Sequence, residues 1–462
     1  TSLTLMASYL KEDRQPSAAF MPAWGTVVDR DGRKVHYGTN YGDPEHDAYD
    51  KDQLTFGWEF KHAFNDHLEY KQTFTAKHTD LYFRTTAAYG SLDGATAPSD
   101  GGLYRATLLN DGDATSFTFD NNLTGNWMWG DFDSLVQVGF DYQHHKNDWE
   151  GNGLGVAIAN ADPFNPVHTG LPSDSEIAVW DNSIKKEQLG LYGQLQTVYN
   201  ETLLIKGGLR YDFVNIDATN DNPDSINSSD SLDEGELSWN VGMMYFGPLG
   251  LSPYVNYSEA FYTNASMVQL GGWTPGTYGY YIYEPINTKQ LEVGVKFTPD
   301  WLDGFINVAW FNLKQQNALA QSVIGGVLAQ EQVSEKEAQG IEVQMKAALT
   351  DNLVVNASYT YQDVTKPKYQ DAFGDWHDEA ELTPEHIGSL WVSYNFARFG
   401  LPDTGMARQT VFSSRADLSW VFGLAGSFLV VPKHARYVAH CQSGSSRFVR
   451  LRACGNTGPM CA

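Results

Sequence analysis

Short and long connections alternate without exception along the first 396 residues, and this constrains the fold more than any other feature. The segments between them have side chains of period two. Leu54, Phe56, Trp58 and Phe60 alternate with Thr55, Gly57, Glu59 and Lys61. After Asn65-Asp66 the pattern resumes with Leu68, Tyr70 and Phe74 against Glu69, Lys71, Thr73 and Thr75. Such a run is a β-hairpin with one apolar and one polar face. In this way 14 strands are expected: one at 3–9, the hairpin within 54–77, then 117–129, 135–145, 184–199, 202–216, 236–246, 251–259, 287–297, 305–316, 330–348, 353–365 and 385–396. The connections at 65–66, 130–133, 200–201, 247–250, 298–304 and 350–352 are short. Those at 11–52, 80–114, 147–183, 217–235, 260–286, 317–329 and 366–383 are long.

A barrel in an outer membrane has short turns at one end, long loops at the other, an apolar face toward lipid and a polar face toward a wet interior. A Greek-key sandwich has no reason to alternate its connections, and no repeat of about 40–50 residues marks a propeller. The fold class expected is therefore all-β: a transmembrane antiparallel up-and-down β-barrel. Trp127, Trp129, Tyr199, Tyr245, Phe246, Trp301, Tyr394 and Phe396 stand beside the short turns, as an interfacial girdle would. The ordinary preference of Tyr and Trp for strands accounts for them too. The longest apolar run, Trp420 to Val431, is well below the ~20 residues of a membrane helix. A mean hydropathy of -0.39 is compatible with a barrel, whose strands are only half apolar.

The formal net charge of -25 argues against nucleic acid as a partner and against docking on an anionic cytoplasmic leaflet. The chain shows no catalytic signature and is not expected to be an enzyme. Gly151-Asn-Gly-Leu-Gly155 lies in a polar connection and not between strand and helix. His144 and His145 are strand neighbours pointing to opposite faces, so they do not form a metal pair. The acidic groups at Asp111 and Asp113 and between Asp221 and Glu234 lack the ordered spacing of a calcium loop and read as solvated surface. All three cysteines, Cys441, Cys454 and Cys461, fall in the last 22 residues without metal-ligand spacing. Thr1 already opens a strand pattern, as in a processed or truncated chain.

Several segments, in order, resemble a known family. They are Tyr254-Val-Asn-Tyr-Ser-Glu-Ala-Phe261, Glu284-Pro-Ile-Asn-Thr-Lys-Gln-Leu-Glu-Val-Gly-Val-Lys296, Phe311-Asn-Leu313, Gln339-Gly-Ile-Glu-Val343, Tyr359-Thr-Tyr361, Pro384-Glu-His386 and Ser389-Leu-Trp391. Residues 1–396 resemble the barrel of TonB-dependent siderophore receptors. Thr1-Ser-Leu-Thr-Leu5, Ala7-Ser-Tyr9 and the stretch from Pro22 to Gly25 resemble the ferrichrome, or hydroxamate, branch. The resemblance implies part of a 22-stranded barrel whose plug and TonB box are absent here. It implies an outer-membrane location, a ferric siderophore as cargo, no resident cofactor, coupling to TonB through the missing plug, contact with outer-membrane lipid and a monomeric state. By position, Phe20 matches an aromatic ligand contact of that branch and Tyr104 matches another.

Composition adds Trp24 and the cluster Trp273, Tyr278, Tyr280, Tyr281 and Tyr283 as candidate contacts, since aromatic side chains suit a bulky, largely neutral complex. Plain loop packing remains the alternative for each. Residues 397–462 are expected to be a separate, aberrant basic tail, read as a frame disturbance with a genuine divergent C-terminus as the alternative: from Arg408 on, seven Lys and Arg stand against the single acid Asp417. A porin-like or substrate-specific diffusion channel and a secreted β-rich binding protein remain as rival functions.

Overall fold

The computed structural model describes residues 1–16, 32–89, 103–151, 156–162, 164–168, 171–263, 267–270, 279–324, 327–370, 376–379, 383–396, 405–414 and 429–430. Its strands in chain order are β1 (Ser2–Arg14), β2 (Ala48–Asn65), β3 (Leu68–Tyr89), β4 (Leu103–Trp129), β5 (Phe132–Gly151), β6 (Val156–Ala161), β7 (Trp180–Tyr199), β8 (Leu203–Asn220), β9 (Ser229–Tyr245) and β10 (Leu251–Tyr262). They continue with β11 (Met267–Leu270), β12 (Gly279–Ile282), β13 (Ile286–Phe297), β14 (Asp303–Ile324), β15 (Val327–Thr350), β16 (Leu353–Gln370), β17 (Trp376–Glu379), β18 (His386–Asn395), β19 (Gly405–Ser414) and β20 (Leu429–Val430). Among the described residues no helix is long and apolar enough to cross a membrane, which says nothing of crossing by strands.

Among the described residues, eighteen strands form one sheet, and β11 and β12 form a separate hairpin. The long strands pair antiparallel in chain order from β1 to β5, then through β7, β8, β9, β10, β13, β14, β15, β16, β18 and β19. Short β6, β17 and β20 attach to β4, β16 and β19. All 14 strands expected from the residue alternation are members of this meander. Several run further than the alternation does. β3 reaches Tyr89 and β4 begins at Leu103, with continuous register from Leu68↔Gly125 to Tyr89↔Tyr104. The apolar alternation ends where lipid would end. The main-chain ladder needs no particular side chain and continues into water. β19 pairs with β18 along its whole length, from His386↔Ser414 to Asn395↔Gly405, so the wall also continues past Phe396 into the segment expected to be tail.

Register sorts the side chains onto two faces. One cross-strand row reads Leu5, Trp58, Phe74, Phe119, Tyr142, Leu189, Phe213. A second continues it on the other half of the sheet as Ile205, Met243, Val255, Val293, Trp310, Ile341, Tyr361. One residue over, on the opposite face, the row reads Thr4, Glu59, Thr73, Asp120, Asp141, Gly190, Asp212, Glu236. The apolar face is uncovered: Leu5 is 65% and Leu209 63% exposed. A soluble sandwich would bury such a face, whereas a barrel wall turns it to lipid. Trp129, Phe132, Tyr199 and Trp301 are exposed at the short-turn end, where a girdle belongs. At the β7–β8 turn Asn200 and Glu201 have φ of 48° and 54°, the left-handed pair of a tight hairpin.

Candidate ligand vestibule and lumen wall

The polar face forms a wall of side chains already paired with one another. Arg210 on β8 lies between Asp212, at 2.6 Å, and Asp141 of β5, and Gln188 donates to Asp212 at 2.8 Å. The Tyr192 hydroxyl donates to Asp120 at 2.8 Å, and that of Tyr254 to Glu292 at 2.6 Å. These long groups lie flat because glycine stands beneath them. A Cβ on Gly190 would sit 1.9 Å from the Arg210 guanidinium, and one on Gly294 would sit 2.7 Å from the Tyr254 ring. Arg210 offsets one of the two carboxylates beside it, and Asp120 and Glu292 are held by neutral hydroxyl donors, so this stretch of wall keeps a net negative charge.

At the long-connection end, Arg84 of β3 is fully buried and gathers two loops. Its Nη1 is 3.0 Å from Asp47 and 3.3 Å from Asp43, its Nε is 3.0 Å from Asp174, and its Nη2 donates to the Pro172 carbonyl at 2.6 Å. The main-chain N–H groups of Asp43 and Thr86 donate to the Asp47 carboxylate at 2.7 and 2.9 Å. Burial alone would raise Asp43, but the Glu45 N–H, His46 and Arg84 outweigh it and hold its carboxyl below the ordinary range. Burial wins at Asp47 and raises it. Tyr41 is buried beside them, and burial, with Asp162 adding, pushes its hydroxyl up to about 12. Arg105 of β4, 2% exposed, donates to the Val167 carbonyl at 2.7 Å, and burial lowers its pKa.

A second structure stands at the same, long-connection end. The β11–β12 hairpin stands over the polar face, where Ile282 packs against the small apolar cluster of Ile184, Val214, Ile216 and Ala218. Tyr281 lies on β12 opposite Val268 and is half-buried. Tyr283 is buried, and burial pushes its hydroxyl up to about 12. Of the other candidate contacts, Tyr104 pairs with Tyr89 on the β3–β4 ladder, and its side chain lies outside the described residues. Phe20, Trp24, Trp273 and Tyr278 also lie outside them. His144 stacks on Phe117 and faces Glu187, while His145 stands opposite Lys186 on the other face, as strand alternation requires. The Arg84 cluster has no local sequence signal. Its partners stand 41, 37 and 90 residues away, and only its place on β3 beyond the apolar alternation marks it.

The profile described as TonB dependent receptor-like, beta-barrel, matches residues 2–437. The chain belongs to this TonB-dependent receptor β-barrel family. The match extends past Phe396 as β19 does. The chain is 28% identical over 461 residues to the ferrichrome outer membrane transporter/phage receptor of Escherichia coli (strain K12), covering 95% of this chain and 59% of that protein. It is 27% identical over 397 residues to the ferrioxamine B receptor of Salmonella typhimurium (strain SL1344), covering 86% of this chain and 53% of that protein. The chain thus spans well under two thirds of either relative. Among solved structures, the ferric-catecholate import receptor Fiu of E. coli K12 superposes with a TM-score of 0.71 at 17% identity, over 90% of this chain and 63% of that one. The siderophore receptor PiuA of Acinetobacter baumannii gives 0.70 at 18% identity, over 91% and 64%. These two likenesses establish the fold. As a TonB-dependent receptor barrel the chain is an outer-membrane protein of the Gram-negative envelope, in a family of receptors and transporters and not of enzymes.

Proposed function

We propose that this barrel wall belongs to a receptor that takes up ferric siderophores of the hydroxamate class across the outer membrane, energised through TonB. The observation that carries this is sequence identity spread over 95% and 86% of the chain with relatives named for ferrichrome and ferrioxamine B. The formal charge of -25 supports it: a ferric hydroxamate complex is neutral or cationic, whereas a ferric tricatecholate is strongly anionic and would be repelled. Phe20, Trp24, Tyr104, Trp273, Tyr278 and Tyr281 supply the aromatic contacts in this reading. Iron enters only as cargo, and the protein acts as a monomer surrounded by outer-membrane lipid. The test is quenching of tryptophan fluorescence on titration with ferrichrome, ferrioxamine B and a ferric catecholate, together with iron uptake in cells with and without TonB. Saturable quenching by a hydroxamate and TonB-dependent uptake are expected. Quenching by the catecholate alone would replace the substrate class.

A further inference from the structure

We propose that Gly279–Pro285 is a prebuilt shelf at the mouth of the lumen that presents Tyr281 to the cargo, and that Asn227 and Gln332 are the residues that position it. The proposal rests on the receptor reading above. Each of the two side-chain amides makes the pair of hydrogen bonds that a neighbouring strand would make. The Tyr280 N–H donates to Asn227 Oδ1 at 2.8 Å, and Asn227 Nδ2 donates to the Tyr280 carbonyl at 2.6 Å. The Glu284 N–H donates to Gln332 Oε1 at 3.1 Å, and Gln332 Nε2 donates to the Glu284 carbonyl at 2.8 Å. The clamps come from separate sectors of the wall: Asn227 from the connection after β8, Gln332 from β15.

Between the clamps the Ile282 N–H donates to Asp230 at 2.7 Å, and the Ile282 side chain packs on the apolar cluster of the polar face. Successive side chains of a strand point to opposite sides, so Tyr281 points away from the wall. The clamps are themselves held. Ser225 Oγ donates to the Asn227 carbonyl at 2.8 Å. Gln332 Nε2 donates also to the Asn317 carbonyl at 3.1 Å, and Asn317, at φ 56°, donates to the Pro285 carbonyl at 3.2 Å. A contact segment fixed in this way pays no ordering entropy when cargo arrives, unlike a loop that orders on binding.

The test is a double-mutant cycle on the full chain in detergent, with ferrichrome and ferrioxamine B as probes. Tyr281→Ala is expected to weaken the better probe about tenfold, and Asn227→Leu to do the same, with no further loss when the two are combined. Gln332→Leu gives a second, independent arm. An Asn227→Leu penalty that is unchanged in the Tyr281→Ala background would show a merely structural role and overturn the proposal. Hydrogen exchange without cargo separates the two readings. Tyr280 and Glu284 amides should be protected, the first lost in Asn227→Leu and the second in Gln332→Leu. Unprotected amides in the unsubstituted chain overturn the shelf. Protected amides with no affinity for either probe overturn the receptor reading and, with it, the role of Tyr281.

Discussion

Arg84 is a buried cation with two buried carboxylates, a half-exposed one and a carbonyl around it, and it holds two long connections in one position. Removing one partner of such a group strands the others without solvent, at about 3–5 kcal/mol. Arg84→Leu is therefore expected to release residues 41–47 and 171–177 while leaving the wall folded. Limited proteolysis should show new cuts in both segments and no change in the β-sheet circular dichroism. The two buried carboxylates respond to pH with opposite sign. Asp43 is held below its ordinary range, so its contribution is full above about pH 4 and is lost as pH falls through its lower folded value. Asp47 is held above that range, so its contribution is full below about pH 4 and is lost as pH rises through its raised folded value. In Asp47→Asn, exchange protection of residues 41–47 should weaken only toward acid, and in Asp43→Asn only as pH rises. None of this cluster was legible in the sequence, because its partners meet only once β3 extends beyond its apolar stretch.

At the scale of the strand, much more was legible, because a period of two leaves its mark on every residue. The expected β8 face Leu203, Ile205, Gly207, Leu209, Tyr211 and Phe213 stands on the exposed apolar side, with Arg210 and Asp212 paired on the other. The extensions were not legible: residues such as Asp111, Gly112 and Asp113 meet water on either face, so alternation has nothing to record there. The two faces differ in what they tolerate. Val241 and Asn240 are neighbours on β9 on opposite faces. Val241→Arg puts a charge into lipid and is expected to cost about 2–4 kcal/mol near the bilayer midplane. Asn240→Arg should cost far less. Guanidinium unfolding in detergent micelles, followed by tryptophan fluorescence, compares the two. Gly190→Ala has a different cause. Its methyl group would collide with the Arg210 guanidinium and displace it from Asp141, so a loss of thermal stability comparable to Arg210→Ala is expected by calorimetry.

For the whole molecule, the informative quantity is the mismatch between strand length and membrane thickness. β4 has 27 residues, about 90 Å of strand, or roughly 60 Å of height at a tilt near 45°. The apolar band of an outer-membrane barrel is only about 25 Å tall, so the wall projects far beyond it on one side. Alternation of connection length says which side: the short turns carry the exposed Trp129 and Trp301, and the long connections carry the Arg84 cluster and the shelf. The membrane thus divides the chain into two sets of residues that differ in access from outside the cell. In a variant with Cys441, Cys454 and Cys461 replaced by Ser, single cysteines at Glu45 and Asp224 should react with an impermeant maleimide on intact cells. Cysteines at Asp131 and Asp351 should react only after the outer membrane is permeabilised. Equal reactivity at all four would mean that no membrane separates the two ends, and the apolar rows would then need a protein partner to cover them. Reaction at Asp131 and Asp351 alone would invert the barrel and put the shelf and the Arg84 cluster in the periplasm, where they could not meet cargo arriving from outside.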